Sequence, residues 1–299
     1  MAKITLCDRN KLRISNIINE YETEKYFEFK KKFLESKKRD LWKFDFRKRK
    51  PGTYKVYLIQ GPLTMENIEF INNNEPENSI YILSDTKGQK SELLEKISDK
   101  TLFSVYGGFK DVDYLYAERT MHRPSTLARI VKMFEQFEEG IDPEWNDIEK
   151  CFYYYGVLFK TLGHMKDDDH WTIRYDKEHK EIATSLACMI RGKGVCAGKA
   201  LVFKEAMDRI GIPCKYQNTE GLHDFNIVYL DGKWRGVDLT WDSVKKGFDN
   251  FATKSHDEFV NEYGHGGYSA PYRLESLFSI EEVRKAVGNY LPTSNHSRR

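Results

Sequence analysis

Three side chains in the second half of the chain have chemistry suited to acyl transfer: Cys196, His223 and Asp238. A cysteine thiolate can attack a carbonyl carbon, and a histidine can accept the thiol proton and later protonate the leaving group. A carboxylate can orient the imidazole and stabilise its charged form. Each residue type also occurs in ordinary cores and strands, so the elements that would bring them together decide their significance.

Cys196 is predicted to lie at the start of a helix. Gly192 and Gly194 favour a turn just before it, and the mostly apolar residues after it favour a helix that stops at Gly211-Ile212-Pro213. The free N–H groups and the positive dipole end of a helix N-terminus favour a thiolate and can stabilise an oxyanion. On these local grounds Cys196 is a candidate nucleophile, and a buried inert cysteine is the alternative.

His223 and Asp238 are predicted to lie on the two strands of one hairpin. Residues 223–230 and 233–240 have the composition of strands, and Asp231-Gly232 separates them. This dipeptide favours a two-residue turn, because both of its positions require positive φ.

The length of the turn sets the register of the hairpin. A two-residue turn pairs residue 230 with residue 233, so His223 and Asp238 project from the same face as diagonal neighbours. Their Cα atoms would then be about 7–8 Å apart, close enough for an imidazole–carboxylate hydrogen bond. A four-residue loop would preserve this pairing, whereas a three-residue loop would put Asp238 on the opposite face.

The motifs within residues 191–242 resemble the core of the transglutaminase-like superfamily, most closely its bacterial members. Those proteins usually show GVC followed by a small residue and glycine, then HAWN, then a hairpin that ends in DxTW. The corresponding segments here are Gly194-Val195-Cys196-Ala197-Gly198, Gly211-Ile212-Pro213-Cys214, His223-Asp224-Phe225-Asn226, Asp231-Gly232-Lys233-Trp234 and Val237-Asp238-Leu239-Thr240-Trp241-Asp242. A looser similarity covers residues 146–266 and includes the run from Asn250 to His265.

The resemblance implies an α+β fold with a papain/transglutaminase-like core, in which the nucleophile helix packs on an antiparallel sheet. It implies a thioester on Cys196 formed from a peptide or protein amide, with His223 as base and acid and Asp238 as the orienting residue. An amine acceptor would make the protein a transglutaminase, and water would make it a peptidase or a deamidase. The sequence does not choose between these reactions.

Two positions depart from the pattern of the superfamily. Asp224-Phe225 stands where Ala-Trp is usual, and Lys199 stands where an aromatic residue is common. Neither change removes a member of the triad. The side chain that completes the oxyanion hole or binds substrate is left open among Trp171, Tyr175 and Trp241, for which packing in a core is the alternative.

The cysteine pattern argues against disulfide bonds and against a structural metal. The chain has 5 cysteines and no CxxC pair, so neither a disulfide framework nor the zinc site of some relatives is predicted. Residues 51–120 also lack the Gly-rich motifs of a nucleotide site. We expect no metal and no cofactor, and we predict that Cys7, Cys151, Cys188 and Cys214 are buried bystanders.

Composition and charge narrow the class of protein. The 299 residues are 40% hydrophobic and 31% charged, which is typical of a globular chain. The net charge of +2 argues against a dedicated nucleic-acid binder. The sequence has no apolar run approaching the roughly 18 residues of a membrane span, and its first nine residues lack the apolar core of a signal peptide. A cytoplasmic protein without a membrane partner is therefore predicted.

The N-terminal part is predicted to be organised differently from the rest. Residues 1–50 are interpreted as a charged helical segment, and residues 30–50 alone contain 11 basic and 3 acidic side chains. Such a run indicates either a solvated helix or a contact for an acidic partner. Strands and helices alternate over residues 51–120, which predicts a small α/β unit with parallel strands. Residues 121–290 are assigned to the catalytic domain and residues 291–299 to a disordered tail.

A function of a different class is a non-catalytic transglutaminase-like binding module that uses the basic N-terminal helix to contact its partner. The presence of Cys196, His223 and Asp238 together argues against this alternative. The catalytic interpretation requires a peptide or protein substrate.

Overall fold

The computed structural model describes residues 3–6, 55–74, 79–83, 86–105, 121–164, 186–219, 223–245, 248–261, 265 and 272–290. The chain forms two compact units. One consists of Met1–Lys132 and Asp167–Ala183, and the other of Met133–Lys166 and Thr184–Arg299. None of the helices in the described ranges has the length and apolar character that crossing a bilayer requires.

Several predicted features lie outside the described residues. They are most of the N-terminal helical segment, Cys7, Trp171, Tyr175 and the tail of residues 291–299. The domain boundaries predicted at residues 51, 121 and 291 stay predictions.

The first unit contains a sheet with helices between its strands. Its described elements are β1 (Lys3–Leu6), β2 (Lys55–Gln60), α1 (Met65–Asn73), β3 (Ser79–Leu83), α2 (Ser91–Leu94), β4 (Leu102–Val105) and β5 (Met121–His122). These strands lie in the order β1-β2-β3-β4-β5. The pairs β2–β3 and β3–β4 are parallel, which confirms the predicted pairing, and α1 and α2 lie in the crossovers that parallel neighbours require.

The prediction of helix is wrong for Lys3–Leu6, which forms strand β1. This strand pairs antiparallel with β2, from Lys3 opposite Gln60 to Leu6 opposite Tyr57. The β-branched residues Ile4 and Thr5 favour extended backbone, and the edge of β2 provides the hydrogen-bond partners. Charge patterning alone could not reveal a partner more than 50 residues away.

The second unit combines helices with a small antiparallel sheet, an α+β arrangement. The division between the units falls within α3 (Pro124–Glu138). The elements that follow are α4 (Asp147–Thr161), β6 (Gly163–His164), α5 (Cys188–Arg191), β7 (Lys193–Gly194), α6 (Cys196–Ile210), β8 (Cys214–Thr219), β9 (His223–Leu230), β10 (Lys233–Val237), α7 (Leu239–Lys245), α8 (His256–Val260) and α9 (Ile280–Tyr290). In the described part of this unit β9 lies between β10 and β8, and β6 pairs with β7.

Helix α6 begins at Cys196, as predicted, and packs against β8 and β9. It ends at Ile210, and its C-cap Gly211 has a φ of +82°, in the left-handed region that glycine adopts without strain. Nearly all of its side chains are buried, and Asn226 on β9 donates a hydrogen bond of 3.0 Å to the carbonyl of Ala200. The N-terminal part of the helix is therefore held against the central strand of the sheet.

The β9–β10 hairpin has the predicted register. Asp231 and Gly232 both have positive φ, at +50° and +73°. The pairing runs from Lys233 opposite Leu230 to Val237 opposite Asn226, as a two-residue turn requires.

The prediction that the second strand extends to residue 240 is wrong. Strand β10 ends at Val237, and Asp238 caps α7 by accepting hydrogen bonds of 2.9 Å from the backbone N–H groups of Thr240 and Trp241. The aspartate satisfies two of the first-turn donors of a helix, which competes with continuation of the strand. Thr240 consequently lies in α7 and not opposite His223.

Asp242 connects α7 to α4 in the core beside this cap. Its side chain is fully buried, receives hydrogen bonds of 2.9 and 3.0 Å from the backbone and side chain of Asn250, and also bonds the Tyr155 hydroxyl. Burial raises the pKa of Asp242 from its usual 3.8 to about 7.

Replacing Gly236 with Ala should destabilise the second unit. A Cβ at this position would lie 2.6 Å from the ring of Phe259, which is fully buried. Because the ring must shift, we expect unfolding in urea to show a loss of about 1–3 kcal/mol. Gly163→Ala is the control, because a Cβ there would meet its nearest atom at an ordinary 3.4 Å. Equal stability of the Gly236→Ala and wild-type proteins would refute this packing.

The Asp242→Asn variant should change how stability depends on pH. Because the pKa of Asp242 is raised in the folded protein, its contribution is fully present below pH 3.8 and is lost as the pH rises through about 7. Each unit of pKa difference between the folded and unfolded states corresponds to about 1.4 kcal/mol. We expect wild-type melting temperatures to fall relative to those of Asp242→Asn as the pH rises from about 5 to about 8. A difference that is constant with pH would contradict the buried, protonated carboxyl.

Candidate active site

The structure brings Cys196, His223 and Asp238 together. The Nε2 atom of His223 lies 2.6 Å from Oδ2 of Asp238, and Cys196 is close enough to the His223 ring to raise its pKa. Because Nε2 faces the carboxylate, Nδ1 is the ring nitrogen left for the thiol. The nucleophile, base and orienting group of the sequence hypothesis thus lie in one cluster.

The charges of this cluster reinforce one another. Burial lowers the pKa of His223, but the hydrogen bond with Asp238 and the neighbouring Cys196 outweigh burial and raise the pKa to about 10. Burial raises the pKa of Asp238, but hydrogen bonds from His223 and from His265 hold it well below its usual value. The carboxylate therefore favours the imidazolium that forms when His223 accepts the thiol proton.

His265 is a second histidine on the same carboxylate, and sequence reasoning assigned it no role. Its Nε2 lies 2.8 Å from Oδ2 of Asp238, and its Nδ1 lies 2.7 Å from the carbonyl oxygen of Phe259. The ring is thus held between a carboxylate oxygen and a backbone carbonyl oxygen, which are both hydrogen-bond acceptors. The ring is fully buried and stacks on Phe259 with a centroid separation of 4.1 Å.

The carboxylate of Asp238 makes four hydrogen bonds. Oδ1 accepts from the backbone of Thr240 and Trp241, and Oδ2 accepts from His223 and His265. The helix cap therefore holds one oxygen in place while the other orients the imidazole of His223.

The three groups His223, Asp238 and His265 also have the residue types of a metal site, since their ligand atoms lie within 4.8 Å of one another. Two ligands on a tetrahedral zinc ion are about 3.3 Å apart, given bonds of about 2.0 Å. The separations of 2.6 and 2.8 Å here are shorter than that. The geometry fits direct hydrogen bonds between the groups.

Cys196 has the exposure that a nucleophile needs. It is only partly buried, whereas Cys151, Cys188 and Cys214 are buried, and burial raises the pKa of each of those three thiols. The residue before it, Val195, provides no side-chain cap for α6. First-turn N–H groups of α6 are thus in position to stabilise an oxyanion next to the sulfur.

Asp224 is a further neighbour of the thiol that sequence reasoning did not place there. The Sγ of Cys196 donates to Oδ2 of Asp224 at 3.6 Å, and Asn218 donates to Oδ1 at 2.6 Å. The Asp224 side chain is only 5% exposed. The departure from the usual HAWN motif therefore puts a carboxylate beside the sulfur.

Trp241 is the one tentative substrate residue that lies in the described part of the chain. Its ring centroid is 5.9 Å from that of His223, and its backbone N–H bonds Asp238. It borders the imidazole, which suits either packing or substrate contact.

Comparisons with known proteins assign no family to the chain. No protein-family model matches it, and no curated protein does either. A crystal structure of a TGase is similar with a TM-score of 0.32 and 18% sequence identity over 60% of this chain and 48% of that chain. The chain thus spans about half the length of that protein, and at this TM-score the likeness carries no argument for its function.

Proposed function

We propose that the chain is a cysteine-dependent acyl-transfer enzyme of the transglutaminase-like type. Cys196 is the nucleophile, His223 is the base and acid, and Asp238 orients His223. The observation that carries the proposal is the hydrogen bond between His223 and the buried carboxylate of Asp238, with Cys196 beside the same imidazole. A non-catalytic binding module would not need this geometry.

The first half of the reaction forms a thioester. The sulfur of Cys196 attacks the carbonyl carbon of a peptide or side-chain amide, and its proton passes to His223. First-turn N–H groups of α6 stabilise the oxyanion. The imidazolium then protonates the leaving nitrogen, which departs as ammonia or an amine, and the acyl group stays on the sulfur.

The second half of the reaction resolves the thioester. Neutral His223 accepts a proton from water or from an amine, which attacks the thioester carbonyl. The carbon–sulfur bond breaks, and the thiolate recovers its proton from the imidazolium. Water gives peptidase or deamidase activity, and an amine gives transamidation.

Asp238 keeps the imidazole ready for both halves. Its hydrogen bond with Nε2 fixes the ring and leaves Nδ1 for the sulfur, and its negative charge stabilises the imidazolium. A peptide or protein substrate, an acidic partner for residues 30–50 and a cytoplasmic location remain predictions.

Iodoacetamide labelling near neutral pH tests the nucleophile. We expect rapid modification of Cys196 that Cys196→Ala abolishes, with Cys151, Cys188 and Cys214 in the same protein as buried controls. His223→Gln should slow labelling by at least about tenfold, because it removes the base. Peptide mass spectrometry gives the rate at each cysteine.

Labelling that bypasses Cys196 while other cysteines react would refute its role as the nucleophile. A His223→Gln protein that is labelled at the wild-type rate would refute activation by the imidazole.

A further inference from the structure

Lys199 is a buried cation in the nucleophile helix. It lies three residues after Cys196 in α6, and its side chain is 0% exposed. Its Nζ has no hydrogen-bond partner in the described part of the chain. A buried ammonium costs free energy, and an opposite charge nearby offsets that cost.

Three groups offset the burial of the Lys199 charge. Burial lowers the pKa of Lys199 to about 8, and Cys188, Asp238 and Cys196 act in the opposite direction. Cys188 provides no negative charge at neutral pH, because burial raises the pKa of its thiol to about 12. Asp238 receives hydrogen bonds from two imidazoles. Cys196 has the smallest of the three effects, but it lies one turn before Lys199 in α6, and residues three apart are neighbours on a helix surface.

Asp224 opposes the thiolate directly. Its carboxylate accepts the S–H group at 3.6 Å, so like-charge repulsion favours the protonated sulfur. A positive charge on the helix side of the sulfur offsets this repulsion.

We propose that Lys199 is a positioning residue of the active site whose buried positive charge favours the reactive thiolate of Cys196 against the Asp224 carboxylate. Because Cys196 is the proposed nucleophile, this role rests on the proposed function. Lys199 supports the thiolate while it is protonated, and the support fades as it loses its proton.

The experiment measures the iodoacetamide alkylation rate of Cys196 from about pH 5 to about pH 10. Lys199→Met should move the half-maximal rate about one pH unit upward and slow alkylation about tenfold near pH 6, with the limiting alkaline rate unchanged. Lys199→Arg keeps the charge and should restore the wild-type profile. Lys204→Met is the matched control, since Lys204 lies on the same helix but pairs with Asp208.

A second variant separates charge from packing. Asp224→Asn, added to the Lys199→Met protein, removes the opposing carboxylate and should move the half-maximal pH back toward the wild-type value. A purely structural role for Lys199 would not give this compensation. If Lys199→Met does not fold, Lys199→Gln replaces it in both proteins.

Three results would overturn the proposal. They are a Lys199→Met profile that superimposes on the wild-type profile, a fall of the limiting alkaline rate with an unshifted midpoint, and a lack of compensation by Asp224→Asn. His223→Gln in the same series separates the two levels of the account. If His223→Gln has no effect on Cys196 alkylation, the proposed function fails. If His223→Gln shifts the profile and Lys199→Met does not, only the role of Lys199 fails.

Discussion

The structure of the site depends on the four hydrogen bonds of one buried carboxylate. Asp238 caps α7 with Oδ1 and receives His223 and His265 with Oδ2. When both oxygens of a buried carboxylate are hydrogen-bonded, the side chain keeps its negative charge and its orientation. The orientation of the His223 imidazole is therefore coupled to the start of a helix, so a change in that helix start should also change the chemistry of Cys196.

The surrounding core holds this carboxylate in place from two sides. The hairpin register brings β10 to its end directly before Asp238, and the backbone N–H of Asp238 donates to the carbonyl of Asn250 at 2.9 Å. On the other side, Phe259 stacks against His265 and fills the space above Gly236. Gly236 must be a glycine because a Cβ there would lie only 2.6 Å from the Phe259 ring.

The parts of the site that depend on local backbone structure could be predicted from the sequence. The Asp231-Gly232 turn and the helix start at Cys196 follow from backbone preferences within a few residues, and both predictions are confirmed. His265 could not be predicted in the same way, because it lies 27 residues after Asp238 and no residue spacing links the two. The end of β10 at Val237 could not be predicted, because helix capping by Asp238 competes with strand pairing. The alternation of side chains indicates a strand but does not show where a helix cap ends it.

Burial and charge were the properties least accessible to sequence reasoning. Lys199 and Asp224 were recognised as departures from a motif, but only the fold buries Lys199 without a hydrogen-bond partner among the described residues and puts the Asp224 carboxylate beside Cys196. The central claim is that Cys196, activated by His223, forms a thioester. Intact-mass analysis after incubation with amide-bearing peptides tests it most directly. We expect a hydroxylamine-labile acyl adduct on Cys196 that is absent from Cys196→Ala. A wild-type protein that acquires no such adduct, although Cys196 reacts with iodoacetamide, would contradict it.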